Sequence, residues 1–210
     1  NTCELEGDKN LITLRFNSQI SDCSSMFEGL NNITEIDLSN FDTSNVLYMN
    51  SMFNGCSNLE KVNFGNKNIY KIEEANSLFR YCSKLISINL SNFDTSSLYD
   101  TSFMFIGCSN LKYLDLSHFT TSNVKDIRMM FQDCNSLIYL NIKLFKFDKV
   151  NNYNDIITGI SPYIKYCIED EEARNIMNIN ISNCSDICFK KNIKIDINNN
   201  SCIESCDIIG

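Results

Sequence analysis

Residues 40–59 read NFDTSNVLYMNSMFNGCSNL, and the chain returns to the phrase twice: residues 92–111 read NFDTSSLYDTSFMFIGCSNL and residues 118–137 read HFTTSNVKDIRMMFQDCNSL. The echo keeps a period of 26 residues through Met26-Phe27, Met52-Phe53, Leu78-Phe79, Met104-Phe105 and Met130-Phe131. Ile33, Leu59, Leu85, Leu111 and Leu137 share that period, as do Cys56, Cys82, Cys108 and Cys134. A fixed period of this length marks stacked units, each too small to bury its own apolar edge.

Within a unit, Ile33, Ile36, Leu38 and Phe41 are spaced L-x-x-L-x-L-x-x-F. Two-residue alternation predicts a short strand at Ile36/Leu38, Val62/Phe64, Ile88/Leu90, Leu114/Leu116 and Leu140/Ile142. Val46, Met49, Met52 and Phe53 then fit one face of about two helical turns, with Asp42, Thr43 and Ser44 placed to cap them. The register fades through Ile156-Ile157, Tyr163, Tyr166 and Ile168. One unit departs: NKNIYKIEEANSLFRYC puts Lys67 where Phe stands elsewhere and loses the Asp-Thr-Ser corner, so it is expected to bulge or twist. The expected fold class is α/β, a right-handed leucine-rich-repeat solenoid of 26-residue units with a parallel sheet on its concave face. It would span residues 26–168, after an N-terminal cap and partial repeat at 1–25 and before a C-terminal cap and small cysteine-rich module at 169–210.

With 210 residues, 43% apolar and 21% charged, the chain can bury a sizeable core. A net charge of −8 excludes a basic groove for nucleic acid. No apolar run reaches the length of a membrane helix. The chain opens on Asn1 without a methionine or an apolar leader, which suggests a processed or trimmed fragment.

The phrase FDTSNV…M..MF.GCSNL resembles the BspA-like leucine-rich repeats of bacterial, mycoplasmal and protist surface proteins, over about residues 20–145. That resemblance implies an extracellular, cell-surface or secreted solenoid that adheres to a protein or glycan partner, and it implies no catalysis. The alternative is a structural coat or filament in which copies of the chain pack against one another.

The eleven cysteines divide. Cys56, Cys82, Cys108 and Cys134 are expected to form an inward column of buried thiols, since free Cys packs as a small hydrophobe. The tail carries Cys184-x3-Cys188 and Cys202-x3-Cys206 around a strand-like NIKIDI. No tight C-x2-C pair favours zinc, so these four are read as disulfide-forming, which implies an oxidising compartment. Their pairing is open. Cys3 and Cys23 could bridge the N-terminal cap. Setting the ladder aside leaves seven cysteines, an odd number, and Cys167, in the outward column, is the candidate left over.

Function is expected on the outward strand columns. Asp37, Asn63, Asn89, Asp115 and Asn141 form one, read as a repeat feature with side-chain bonds between units. Tyr113 and Tyr139 are the candidate interface. Sequons place candidate glycans at Asn32, Asn89, Asn180, Asn183 and Asn199, and one at Asn89 would block the sheet face. Catalytic, cofactor and metal residues are expected to be absent. No phosphate loop, H-E-x-x-H or nucleophile elbow occurs, and the single histidine, His118, takes a corner position read as solvated.

Overall fold

A computed structural model describes residues 19–42, 44–65 and 71–179, together with the backbone of two short strands beyond them. Five three-residue strands, β1 (Glu35–Asp37), β2 (Lys61–Asn63), β3 (Tyr113–Asp115), β4 (Tyr139–Asn141) and β5 (Lys165–Cys167), run parallel where they pair. Partners lie 26 residues apart, as in Ile36↔Val62 and Leu114↔Leu140. α1 (Glu171–Ile176) follows, capped by Asp170, whose carboxylate accepts the Ala173 N–H at 2.9 Å. Beyond it β6 (Lys194–Asp196) and β7 (Ser201–Ile203) pair antiparallel, with β6 inside the alternating NIKIDI.

The strand ladder breaks between β2 and β3. The unit around Ile88 contributes a single bridge, Ser87↔Tyr113, and the gap adjoins the segment that abandons the repeated phrase. Residues 66–70, where Lys67 replaces Phe, lie outside the described residues.

The second half of each unit is not helical, which corrects the periodicity reading. A helix would direct the Phe53 N–H to Met49; instead it donates to the Leu78 carbonyl of the next unit at 3.0 Å. Met49, Ser51 and Gly55 do the same with Glu74, Asn76 and Arg80, while Met52, Asn54 and Cys56 close i→i−3 turns. The backbone is thus a ribbon of tight turns whose alternate N–H groups join neighbouring units. Left-handed φ at Ser51 (55°) and Gly55 (74°) stops any helix from propagating. This ladder runs unbroken through Tyr48, Glu74, Asp100, Asp126 and Asn152, across the point where the strands separate.

Without a helix the Asp-Thr-Ser corner has another role. The Asp42 and Asp94 carboxylates accept the N–H of Ser44 and Ser96, each at 3.0 Å, in local Asx turns. Thr95 and Thr121, both buried, reach across instead. Thr95 Oγ1 accepts the Thr120 N–H at 2.8 Å, and Thr121 Oγ1 accepts the Lys146 N–H at 2.6 Å.

Between the two ladders lies an apolar core. Phe27, Phe53, Phe79, Phe105 and Phe131 stack in a column with centroids 5.2–6.0 Å apart. Phe64, Phe93 and Phe119 pack alongside, edge-on from Phe64 to Phe79 and Phe93 and stacked from Phe93 to Phe119. Val46, Met49, Leu59, Leu85, Leu111 and Leu137 complete it. The last unit keeps the 26-residue strand register but changes the residue it buries just ahead of β5. Tyr163, in line with Leu137, is 83% exposed, and Ile164 takes the buried place. Pro162 precedes this change, and the Ile164 N–H closes a turn onto the Ser161 carbonyl at 3.3 Å.

Candidate functional site

The outward strand columns carry the surface expected to recognise a partner. In one row the pairs Glu35↔Lys61 and Ser87↔Tyr113↔Tyr139↔Lys165 follow the register. Tyr113 and Tyr139 are therefore direct cross-strand neighbours, both half-buried. Tyrosine combines a rigid apolar ring with a polar tip, which suits it to partner surfaces.

The neighbouring Asn/Asp column has a structural cause. Asp37, Asn63, Asn89, Asp115 and Asn141 each accept, through Oδ1, the N–H two residues ahead at 2.8–3.2 Å, closing the turn that ends the strand. Asn63 Nδ2 also donates to Asp37 at 3.1 Å, one of the expected bonds between units. The Ser39 N–H and hydroxyl bonds hold the Asp37 carboxyl below its usual range. Asp37, Asn63, Asn89 and Asp115 are exposed. At the C-terminal end the column closes over, with Asn141 5% and Cys167 3% exposed. Cys167 has the expected register, paired with Asn141, but it is buried rather than outward.

Cys56, Cys82, Cys108 and Cys134 are fully buried, and each thiol donates to a carbonyl of the preceding unit, from Phe27, Phe53, Phe79 and Phe105, at 3.0–3.2 Å. They are fasteners as well as filler. Burial pushes the Cys134 thiol up from 9.0 to about 12 and raises Cys56, Cys82 and Cys108 in the same direction. Cys23 is buried with a free thiol, likewise raised by burial to about 11. Cys3, Cys184, Cys188, Cys202 and Cys206 lie outside the described residues, as do the sequons at Asn180, Asn183 and Asn199. Asn32 and Asn89 are exposed.

His118 is not a solvated corner. It is half-buried, its Nε2–H donates to the Leu90 carbonyl at 2.7 Å, and its ring meets Phe119 edge-on at 5.0 Å. Asn92, one unit earlier, sends Nδ2 to the Gly65 carbonyl at 2.6 Å, so the column fastens units together. Among the described residues no group of three or more His, Cys, Asp or Glu could hold a metal ion. No described helix is long and apolar enough to cross a membrane.

The turn face holds a cluster that sequence reading passed over. Arg80 lies over the rings of Tyr81 (4.9 Å) and Phe103 (5.5 Å), and Arg128 lies over Phe103 at 5.1 Å. Comparing units position by position would have found it. Left-handed sites that hold Ser25, Ser51 and Ser77, or Gly29 and Gly55, are taken by Phe103, Met129 and Tyr81.

Two overlapping stretches, residues 8–88 and 61–168, match the model of the family described as Mycoplasma protein of unknown function, DUF285. No curated protein matches the chain. The two matches take in every unit of the parallel ladder and more than half of the 210 residues, and the chain belongs to the DUF285 family.

Proposed function

We propose that this chain is a non-catalytic recognition module of a cell-surface or secreted protein. Its units wind as a right-handed leucine-rich-repeat solenoid of the BspA-like kind and bind a protein or glycan on the strand face. One observation carries the reading: side chains facing the core stay predominantly apolar from unit to unit, whereas the outward row runs Glu35, Lys61, Ser87, Tyr113, Tyr139, Lys165. A scaffold apolar inside and varied outside is a platform whose specificity lies in its surface columns. The FDTSNV…GCSNL phrase and the DUF285 membership support the repeat class, and the tail cysteines are read as disulfides of an extracellular module.

The chain immobilised on beads would be assayed against arrays of extracellular proteins and glycans, beside the double variant Tyr113→Ala/Tyr139→Ala. Saturable binding that drops tenfold or more in the variant is expected. Binding unaffected by the double variant would refute the assignment to this face. A second reading, a coat or filament subunit assembled from copies of the chain, is favoured by the half-buried aromatic and arginine cluster on the turn face, with Tyr81 exposed.

A further inference from the structure

We infer that the turn-face cluster is a contact between copies of this chain, with Arg80, Tyr81, Phe103, Arg128 and Met129 of one copy receiving the acidic segment Glu169–Glu172 of another. The inference rests on the second of the two readings above and gives it a surface.

Three observations converge on the cluster. Tyr81, Phe103 and Met129 adopt φ of 54–58°. Bulky side chains are strained there, whereas equivalent sites elsewhere hold Ser, Gly or Asp. These residues do not recover the strain by burial, since Tyr81 is 47% exposed and Phe103 and Met129 are only half-buried. The arginines are also undercommitted. Arg80 makes no ion pair among the described residues, and Arg128 meets Asp126 at 3.4 Å without a hydrogen bond from its Nε. Finally, Arg128 Nε is one of two buried side-chain polar atoms that lack a hydrogen-bond partner among the described residues. The cluster is thus poorly satisfied in the isolated chain.

Charge complementarity selects the occupant. Guanidinium groups stacked on rings keep their N–H edges outward for carboxylates. The chain's densest run of carboxylates is Glu169-Asp170-Glu171-Glu172. Glu169 and Asp170 already pair with Lys143 and Lys146 of their own chain, at 3.2 and 3.1 Å, whereas Glu171 and Glu172 are exposed in the first turn of α1. Engaged on two different neighbours, the two surfaces make a head-to-tail contact that builds chains or rings and does not stop at a dimer.

Sedimentation velocity over a wide concentration range tests this with the full chain. Wild type is expected to grow beyond dimer with concentration. Arg80→Glu and the double variant Glu171→Arg/Glu172→Arg are each expected to stay monomeric, and an equimolar mixture of the two to associate, because each supplies the complement the other lost. Tyr113→Ala/Tyr139→Ala is expected to associate like wild type. A wild type that stays a sharp monomer would overturn both this contact and the coat reading. Association that survives Arg80→Glu would overturn this contact and leave the coat reading standing, and a mixture that stays monomeric would remove Glu169–Glu172 as the occupant.

Discussion

Gly65 and Gly29 share a left-handed backbone, with φ of 67° and 73°, but not a neighbourhood. A Cβ on Gly29 would meet nothing within 4 Å. One on Gly65 would lie 2.8 Å from Ser39 Cα and 3.1 Å from its carbonyl oxygen. Ordinary contact begins near 3.4 Å, so the neighbouring unit would have to retreat by about 0.6 Å. Those are backbone atoms next to the β1–β2 ladder, so they cannot rotate away. Gly29→Ala should cost about 1 kcal/mol from the left-handed backbone alone. Gly65→Ala adds an overpacking cost of roughly 1–3 kcal/mol, giving about 2–4 kcal/mol in total. The loss of unfolded-state freedom on replacing glycine is common to both and cancels in the comparison. Urea unfolding followed by circular dichroism would read the difference as a lower midpoint for Gly65→Ala at similar slope. Equal midpoints for the two variants would refute the close approach between units at Ser39 and Gly65.

At the corner, Thr121→Val keeps the shape but strips the acceptor from the Lys146 N–H, and should destabilise by about 1–3 kcal/mol. Thr121→Ser should recover most of that loss, and thermal melts of the three proteins would show it. Cys56, Cys82, Cys108 and Cys134 should resist iodoacetamide at neutral pH until the chain is unfolded, because only the thiolate reacts and burial disfavours it. Mass spectrometry after labelling with and without urea would count the alkylated sites. The same burial makes stability pH-dependent. The Cys134 pKa is raised on folding from 9.0 to about 12, so its contribution is whole below pH 9 and is lost as pH rises toward 12. Urea midpoints should hold from pH 7 to about 8.5 and fall above, less steeply in Cys134→Ser.

The period of 26, four of the five expected strands, the Phe column and the buried cysteine column were all legible along the chain, because an apolar residue that must meet its counterpart one unit away has to recur at that spacing. The strand expected at Ile88/Leu90 reduces to the bridge Ser87↔Tyr113, and β5 was foreshadowed only by the fading register. The helix was misread because Val46, Met49, Met52 and Phe53 fit a helical face equally well. Spacing records which side chains face inward, and a turn ribbon with left-handed residues at Ser51 and Gly55 points the same ones inward. Which way the N–H groups point leaves no trace in apolar spacing. The candidate site was half legible. The row holding Tyr113 and Tyr139 follows from alternation, whereas the meeting of Arg80, Phe103 and Arg128 depends on the turns that replaced the helix.

By itself the sequence determined a stack of repeating units, the inward residues of each, and a net negative charge. Only the tertiary structure decided that two backbone ladders join the units, that cysteine, threonine, asparagine and histidine side chains reach across as fasteners, and that Cys167 is closed off. The reason is physical. Burial pattern is a property of each residue and its period, whereas a hydrogen bond between units depends on two segments about 26 residues apart meeting at a set distance and angle, which folding alone establishes.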